Sequence, residues 1–375
     1  MVKQMIIQVL PALQQGGVER GTIEIARALT KAGISNCVIS AGGKMVADLE
    51  RLGVEHITLP VHTKNPFKMW WNARRLAKIF KDKHATLIHV RSRAPAWSVK
   101  WACERTHIPF ITTYHGRYGL TPAWFKKRYN SVMLQGKKVI AVSRFVQEHL
   151  LENYDVKPDH ICLIPRGADM HLFNPDVLTK EIRSDFCAAH QIPTDKPIIS
   201  LVGRLSRIKG HSVFLDALKK MKHQDVAVLL VGGNPKGDYE AELKEKLAQV
   251  SQPVRLFSVS GDKVPLVYAV SDICVQPSLV PETFGRTIAE AQAMKSIVVA
   301  SAHGGACELI EDGQTGFLTP VGDSDALAKT LDHILDMTPA ERKTIGTRAC
   351  WFVRNNYSTK KMCEKTLALY KSLAR

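Results

Sequence analysis

The 375-residue sequence contains no apolar stretch that approaches the ~20 residues needed to span a membrane. Its first residues also lack the apolar core and the small-residue cleavage site of a signal peptide. With a hydrophobic share of 45% and 23% charged residues, the composition excludes a disordered or collagen-like chain. We therefore expect a soluble, cytoplasmic globular protein, and its length predicts two domains.

Cysteine pairs are missing as well. No two of the eight cysteines form a Cys-x-x-Cys pair or show the spacing of zinc ligands. We therefore interpret them as buried free thiols.

Acidic residues are scarce, with 35 Asp and Glu against 52 Lys and Arg, and the formal net charge is +17. The excess of positive charge is concentrated in residues 61–140. This window contains 17 Lys and Arg but only two acidic residues, Asp82 and Glu104, so its net charge is 17 − 2 = +15. The other residues carry only about +2. Five of the six tryptophans lie in the same window, namely Trp70, Trp71, Trp97, Trp101 and Trp124.

Part of this basic window, residues 65–81, is predicted to form a helix. Phe67, Trp70, Trp71 and Ile79 fall on or near one stripe of the helix, and basic residues spread over the rest. Aromatic anchors beside cations suit the headgroup region of an anionic membrane. Two alternatives stay open: an ordinary surface helix whose tryptophans pack inward, and nucleic-acid binding, although no recognised nucleic-acid module accompanies the window.

Short apolar runs alternate with amphipathic helical patterns in two consecutive series, each typical of a β/α domain with a buried parallel sheet. The first series predicts strands at residues 5–10, 36–40, 87–90, 110–113 and 139–142. The second predicts strands at residues 197–203, 226–231, 254–257, 273–275 and 297–300. Between the series lies a linker rich in Pro, Gly and Asn. Ligands of such domains bind at the carboxyl ends of the strands, so a cleft between the domains is the default active site.

Two loops that follow predicted strands suit phosphate binding. Gly16 and Gly17 would let the backbone approach a ligand closely. The two glycines fit a plain strand-to-helix turn without a ligand equally well. This turn is not a Gly-x-Gly-x-x-Gly fingerprint and no Walker lysine follows it, which argues against a Rossmann dehydrogenase or a P-loop enzyme. In the second series, Arg204 and Lys209 can converge on one diphosphate, whereas Arg207 is interpreted as a solvated loop residue.

The most informative segment runs from Gln276 to Ala291. A loop ends in Glu282, Gly285 permits a tight backbone, and a helix is predicted to start near Thr287 and to carry Glu290. Backbone amides of residues 284–287 would point at a phosphate, while both carboxylates accept hydrogen bonds from sugar hydroxyls. Taken singly, Glu282 is a neighbour of a helix cap and Glu290 a surface acid; together they fit a nucleotide sugar.

The two glutamates, separated by seven residues within Pro-Ser…Glu-Thr-Phe-Gly…Glu-Ala, resemble the double-glutamate motif of the family 4 (group 1) retaining glycosyltransferases. The resemblance extends over nearly the whole chain, through residues 16–20, 113–116, 141–143, 164–169, 203–210, 267–272 and 303–317. It implies an α/β protein of GT-B architecture, with two Rossmann-like domains facing across a cleft. The domains are expected at residues 1–172, which bind the acceptor, and 173–356, which bind the nucleotide sugar; a C-terminal helix in residues 357–375 packs back on the first domain.

The resemblance also implies the activity and the roles of residues. A sugar would pass from a nucleotide-diphospho-sugar to a lipid-linked, lipopolysaccharide or other cell-envelope glycan acceptor, with retention of anomeric configuration and without metal or another cofactor. Arg204 and Lys209 would bind the diphosphate, and Glu282 the sugar hydroxyls. Glu290 would bind the ribose, and His115 the sugar or the acceptor. Further donor contacts are implied at Gly16, Gly17, Phe257, Thr283, Phe284, Gly285, Arg286 and Thr287.

Three features qualify the resemblance. Asp323-Ser324-Asp325 matches the Asp-x-Asp of metal-dependent transferases superficially, but it precedes a helix and is better interpreted as an N-cap. Lys295 and Ile297 stand where the family commonly has Gly and Pro. The alternatives to an active retaining transferase are a donor-binding but inactive relative and another GT-B enzyme such as an inverting transferase or an epimerase; nucleic-acid binding through residues 61–140 is a more distant one. Nucleic acid and an obligate protein partner are not expected, whereas peripheral contact with the inner face of an anionic membrane is.

Overall fold

The computed structural model describes residues 4–14, 16–116, 118, 123–233 and 238–373, except for the side chains of residues 123–125. The chain forms two compact units. The first extends to Pro165 and resumes at Lys360, and the second runs from Arg166 to Thr359. The sequence placed these boundaries at residues 172 and 356.

The first unit contains a seven-stranded parallel sheet with strand order β3-β2-β1-β4-β5-β6-β7. Its strands are β1 (Met5–Val9), β2 (Ser35–Ser40), β3 (Glu55–Thr58), β4 (Leu87–Val90), β5 (Phe110–Tyr114), β6 (Val139–Ala141) and β7 (Ile161–Leu163). Its helices are α1 (Gly17–Lys31), α2 (Val46–Glu50), α3 (Pro66–Asp82), α4 (Arg93–Thr106), α5 (Ala123–Asn130) and α6 (Arg144–Asn153).

The second unit contains a six-stranded parallel sheet with strand order β10-β9-β8-β11-β12-β13. Its strands are β8 (Ile198–Val202), β9 (Ala227–Val231), β10 (Val254–Phe257), β11 (Ile273–Gln276), β12 (Ile297–Ser301) and β13 (Phe317–Thr319). Its helices are α7 (Lys180–Ala189), α8 (His211–Lys220), α9 (Asp238–Ala248), α10 (Val264–Val270), α11 (Arg286–Ala293), α12 (Ala306–Leu309), α13 (Ser324–Asp336) and α14 (Pro339–Asn356).

The predicted fold class is confirmed, since each unit is a parallel sheet covered by helices. All ten predicted strands are present within a residue or two. The strands that the sequence missed are β3, β7 and β13, and each lies at an edge of its sheet. Every residue of β3 is exposed or half-exposed, so its sequence lacks the continuous apolar run that marks a buried parallel strand. β7 and β13 are only three residues long, which makes their apolar signal short.

Alternate residues of the first sheet face opposite helical layers. Ile7 packs in the core that includes Leu76 and Phe80 of α3, whereas Ile6 packs in the core that includes Ile25 of α1. The last helix, α15 (Thr359–Leu373), contributes Met362 to this second core. The prediction that the C-terminal helix returns to the first unit is therefore confirmed.

A buried histidine fastens α15 to this sheet. His89 of β4 lies with Nδ1 2.5 Å from the hydroxyl of Tyr370 and with Nε2 2.6 Å from Oγ1 of Thr113. Burial, with a smaller contribution from Arg91, lowers the pKa of His89 well below its ordinary value. His89 is therefore neutral in the folded protein at pH 7.

We predict that acid weakens the first unit through His89. An unfolded chain binds this proton at about pH 6.5, whereas the folded chain does not, so the free energy of unfolding falls as the pH drops below 6.5. The His89→Gln variant should lose stability less steeply between pH 7 and pH 5 in urea unfolding followed by circular dichroism. The exposed His171→Gln variant should keep the wild-type slope, and an equal slope for His89→Gln would contradict the assignment.

The two departures from the family pattern lie at the end of α11 remote from Glu282. Lys295 adopts φ 65° in the turn between α11 and β12, a conformation that glycine adopts at lower cost. Its Nζ lies 3.1 Å from Oδ1 of Asp176. Ile297 is buried as the first residue of β12. Both replacements therefore leave the loop that precedes α11 untouched.

Helix α14 packs against the turn at Lys295, and this contact leads to a prediction. An alanine Cβ at Gly346 of α14 would lie 2.2 Å from the carbonyl oxygen of Lys295. Helix propensity favours Gly346→Ala by ~1 kcal/mol, but overpacking against backbone costs about 1–3 kcal/mol. We expect the clash to win, so Gly346→Ala should lower the denaturation midpoint. The exposed neighbour Thr347→Ala should not lower it, and a raised midpoint for Gly346→Ala would show that the turn yields.

The cysteine interpretation holds with two exceptions. All eight thiols are free, and six are buried. Cys162 is half-buried and Cys307 is exposed, because Cys307 lies in the first turn of the short helix α12 rather than in a strand.

Candidate active site

The second unit brings predicted site residues together at the carboxyl ends of β8 and β11. These strands are neighbours in the sheet, so the loops that follow them meet. Arg204 follows β8, and Lys209 ends a short 3-10 helix that leads into α8. Glu282 lies in the loop between β11 and α11.

Lys209 and Glu282 form an ion pair across this junction. Nζ of Lys209 lies 2.5 Å from Oε1 of Glu282, and both side chains are largely shielded from solvent. The hydroxyl of Ser278 donates a hydrogen bond to the same carboxylate oxygen at 2.9 Å. The site thus holds a cation and a hydrogen-bond acceptor side by side, as a charged ligand with hydroxyl groups requires.

The two loops are in direct backbone contact. The amide of Leu279 donates to the carbonyl of Ile208 at 2.8 Å. A Cβ at Gly210, where φ is 71°, would lie 1.9 Å from the carbonyl oxygen of Pro277, so only glycine permits this approach. Burial lowers the pKa of the next residue, His211, to about 4, and Lys209 adds to the shift. A neutral imidazole therefore stands behind Lys209, and Lys209 itself supplies the positive charge.

A third loop supports Glu282 from behind. Following β12, His303 lies with Nε2 2.8 Å from the carbonyl oxygen of Ser278, and the amide of Gly305 donates to the carbonyl of Glu282 at 2.7 Å. Sequence reasoning missed these supports and the hydrogen bond from Ser278. The only signal for them was that the Pro-Ser and His-Gly-Gly segments belong to the family resemblance.

The helix after Glu282 begins at Arg286, one residue before the predicted start near Thr287. Gly285 precedes it with φ 94°, so the backbone turns in a conformation suited to glycine. The guanidinium of Arg286 lies 3.3 Å from Oε1 of Glu290. Glu290 is buried, so its interpretation as a surface acid is wrong. A buried carboxylate needs such partners, and its pairing with Arg286 meets that need.

Other predicted donor contacts occupy the same end of the second sheet. Thr283 and Thr287 are half-buried on either side of Gly285. Phe284 is buried and its ring packs 5.8 Å from that of Tyr357, so its side chain belongs to the core and only its backbone is available to a ligand. Phe257 ends β10, and its ring stacks on His190 at 4.5 Å.

The two arginines of the β8 loop differ in their contacts. Arg207 binds Glu242 at 2.9 Å and is exposed, which confirms its interpretation as a surface residue. Arg204 is also exposed, but its guanidinium forms no ion pair with any residue in the described ranges. Arg204 therefore offers an uncompensated cation directly after Gly203, where a Cβ would lie 3.8 Å from Cε of Lys209.

The remaining predicted site residues lie in the first unit, again at carboxyl ends of strands. Gly16 is the N-cap of α1 and Gly17 its first residue, after β1. His115 follows β5 and is half-buried. Asp323 of the Asp-x-Asp segment accepts hydrogen bonds from the amides of Asp325 and Ala326 at 3.0 and 2.9 Å, which confirms that it is an N-cap.

Two sequence families match the chain. Residues 15–172 match the family Glycosyltransferase Family 4, and residues 183–349 match Glycosyl transferases group 1. Among curated proteins, the D-inositol 3-phosphate glycosyltransferase of Corynebacterium aurimucosum is 29% identical over 255 residues. That alignment covers 65% of this chain and 59% of the Corynebacterium protein.

Solved structures resemble the chain over its full length. A glycosyltransferase from Rickettsia africae is 41% identical, with 100% of both chains covered and a TM-score of 0.93. Alr3699/HepE from Anabaena, solved in complex with UDP-glucose, is 23% identical, with 98% of this chain and 100% of its own covered and a TM-score of 0.85. WaaG, a glycosyltransferase involved in lipopolysaccharide biosynthesis, is 18% identical, with 97% and 99% covered and a TM-score of 0.76. These last two likenesses show the fold alone. The two family matches and the full-length likeness to the Rickettsia protein show that the chain belongs to the family 4, group 1 glycosyltransferases of GT-B fold.

Proposed function

We propose that this chain transfers a sugar from a nucleotide-diphospho-sugar to a lipid-linked or cell-envelope glycan acceptor, with retention of configuration at the anomeric carbon. The observation that carries the proposal is the ion pair between Lys209 and Glu282, whose charged atoms lie 2.5 Å apart on adjoining loops of the second sheet. The residues that form this sheet match the glycosyltransferase family described above. A cation for the diphosphate and an acceptor for sugar hydroxyls are thereby held next to each other.

The chemistry assigned to these groups is electrostatic. As the bond from the anomeric carbon to the diphosphate oxygen breaks, negative charge grows on the leaving diphosphate, and Arg204 and Lys209 stabilise it. Glu282 holds the hydroxyls of the transferred sugar, and Glu290 those of the ribose. The bond from the acceptor oxygen to the anomeric carbon forms on the same face, and a donor phosphate oxygen takes the acceptor proton. No side-chain nucleophile and no metal are required by this scheme.

Relatives support the choice of substrates. The UDP-glucose complex of HepE supports a UDP-sugar donor. We assign the base to the loop around Phe257 at the end of β10, as the family pattern implies. The role of WaaG in lipopolysaccharide biosynthesis supports an envelope acceptor. We assign His115 to the sugar or the acceptor and Gly16 and Gly17 to the donor, as the family pattern implies. The enzyme would then work at the inner face of the cytoplasmic membrane.

A panel of UDP-, GDP- and ADP-sugars tests the proposal. A ligand present at 100 times its dissociation constant stabilises the folded protein by ~2.7 kcal/mol, so the cognate donor should raise the melting temperature, whereas the free sugar should not. The same donor should be consumed, with release of the nucleoside diphosphate, when an envelope lipid extract is supplied. Stabilisation without turnover against a wide set of acceptors would favour a donor-binding but inactive relative. Absence of stabilisation by every nucleotide-sugar would refute the donor assignment.

A further inference from the structure

The N-terminal half of α3 exposes large aromatic side chains. Phe67 is 80% exposed, Trp71 59% and Trp70 39%. The buried stripe of the helix consists instead of Met69, Asn72, Ala73, Leu76 and Phe80. The alternative that the tryptophans pack inward is therefore wrong for α3. An apolar surface of this kind is unfavourable in water unless something covers it.

The tryptophans of the neighbouring helix behave differently. Trp97 and Trp101 of α4 are half-buried, and Trp97 donates its Nε1 hydrogen to the carbonyl of Tyr129 at 3.1 Å. The side chain of Trp124 lies outside the described residues. Among the described tryptophans of the basic window, the exposed ones therefore lie on α3.

The same part of the chain carries a concentration of positive charge. Residues 56–81 contain no Asp or Glu and six cations, namely Lys64, Lys68, Arg74, Arg75, Lys78 and Lys81. None of the six forms an ion pair with a residue that the structure describes. The guanidinium of Arg74 lies over the ring of Trp70, 3.7 Å from its centroid, which keeps an arginine beside the exposed rings.

A cavity of about 660 Å³ opens beside the start of α3. It is lined by Pro60, His62, Thr63, Lys64, Lys68, Trp71, Asn72 and Arg75. Asn72 donates to the carbonyl of Pro60 at 2.9 Å and Asn65 caps the helix through the amide of Lys68, so both walls are fixed. Three cations and one indole face the cavity, and its lining among the described residues contains no carboxylate. An anionic group attached to an apolar body matches this lining.

We propose that this end of α3 docks on a bilayer that contains anionic phospholipid. Phe67 and Trp71 enter the boundary between headgroups and acyl chains, and a lipid phosphate lies in the cavity among Lys64, Lys68 and Arg75. The inference deepens the proposed function and rests on it only in one respect: a lipid-borne acceptor gives the contact its purpose. The geometry of α3 stands without it.

Two other occupants fit less well. A second copy of this chain would bring unneutralised cations against the same cations, which electrostatic repulsion opposes. Single-stranded nucleic acid is bound along grooves in which successive bases stack on a track of aromatic rings, whereas here the cations converge on one compact cavity at a helix end. A bilayer would also bury the exposed ring of Phe67, which has no hydrogen-bonding group.

Vesicle binding tests the proposal with matched variants. Binding of the full chain is measured on vesicles of phosphatidylcholine alone and of phosphatidylcholine mixed with phosphatidylglycerol, with thermal melting as a check of folding. Each cation near an anionic surface strengthens binding roughly fivefold, so the double variant Lys68→Glu/Arg75→Glu should bind mixed vesicles at least about 25-fold more weakly. Trp71→Ala should weaken binding several-fold and remove the blue shift of tryptophan fluorescence.

The second unit supplies the control. Trp351 of α14 is 66% exposed beside the exposed Arg348, so Trp351→Ala/Arg348→Glu makes a comparable change on another helix. This variant should bind like the wild type. Equal losses in the control and the α3 variants, or binding that ignores the α3 variants, would overturn the proposal.

Further arms identify the occupant and separate this inference from the proposed function. If inorganic phosphate alone saturates the fluorescence change that Trp71→Ala removes, the bilayer proposal would be overturned in favour of a free phosphate ester. RNA binding abolished by the same α3 variants, without vesicle binding, would favour nucleic acid, and a dimer that Trp71→Ala converts to a monomer would favour a second copy. Thermal stabilisation by the cognate donor in the absence of lipid should be unchanged in the α3 variants, so either hypothesis can fail while the other stands.

Discussion

The Arg204→Ala variant is expected to lose sugar transfer by a factor of about 10²–10³, whereas Arg207→Ala should keep nearly all of it. Both arginines are exposed on the loop after β8, but Arg207 is bound to Glu242 at 2.9 Å. Arg204 has no such partner among the described residues and directly follows Gly203, which the Lys209 side chain approaches. Loss of one donor that stabilises transition-state charge costs ~2.7–4 kcal/mol, which corresponds to that factor.

The measurement is kcat and KM for the donor in both variants. Because the guanidinium is assigned to charge that develops on the leaving group, kcat should fall more than the apparent donor affinity. Arg204→Lys should recover only part of the rate, since an ammonium cannot replace a bidentate contact. Equal rates for Arg204→Ala and Arg207→Ala would remove Arg204 from the site.

Replacement of Glu282 should have the second large effect. Glu282 accepts hydrogen bonds from Lys209 and Ser278, so Glu282→Ala removes the proposed acceptor of sugar hydroxyls and also frees Lys209 from its partner. We expect a loss of at least about 10²-fold in kcat, by analogy with the removal of one preorganised group from an active site. Glu282→Gln keeps the shape and one hydrogen-bond acceptor, and it should fall between Glu282→Ala and the wild type.

A double-mutant cycle checks that the pair acts as a unit. If Lys209 and Glu282 serve the same bound donor, Lys209→Ala/Glu282→Ala should be little worse than either single variant. Glu311→Gln, an exposed acid in the loop after α12, is the control and should leave the rate unchanged. Fully additive losses would indicate that the two residues act separately.

The fold could be predicted from the sequence where burial is complete. Central parallel strands such as Leu87–Val90 are covered on both faces and are therefore continuous apolar runs. Edge strands such as Glu55–Thr58 have half-exposed residues, and their sequence carries no such run. Tertiary pairing, which the sequence does not display locally, decides that they are strands.

The helix α3 shows what periodicity alone leaves open. Phe67, Trp70 and Trp71 have the i, i+3, i+4 spacing of a core stripe, yet they are exposed. The core takes the offset stripe that includes Met69, Ala73 and Phe80. Two apolar stripes compete on one helix, and only the neighbouring sheet and α4 determine which of them is buried.

The candidate site was predictable as a set of residue types, but its pairings were not. Lys209 and Glu282 are 73 residues apart in the chain, and their contact depends on the adjacency of β8 and β11. The burial of Glu290 beside Arg286 likewise depends on how α11 packs on its sheet. Family resemblance named these residues, whereas the distances come from the fold.

We propose that this chain performs retaining sugar transfer through the site around Arg204, Lys209 and Glu282. Real-time proton NMR of the cognate α-linked nucleotide-sugar tests it most directly, because the coupling of the anomeric proton reports configuration as the product forms. We predict that the wild type consumes the donor and first forms an α-linked product. In Glu282→Ala, both donor consumption and product formation should be much slower than in the wild type. A β-linked first product, or equal rates in the wild type and Glu282→Ala, would contradict the account.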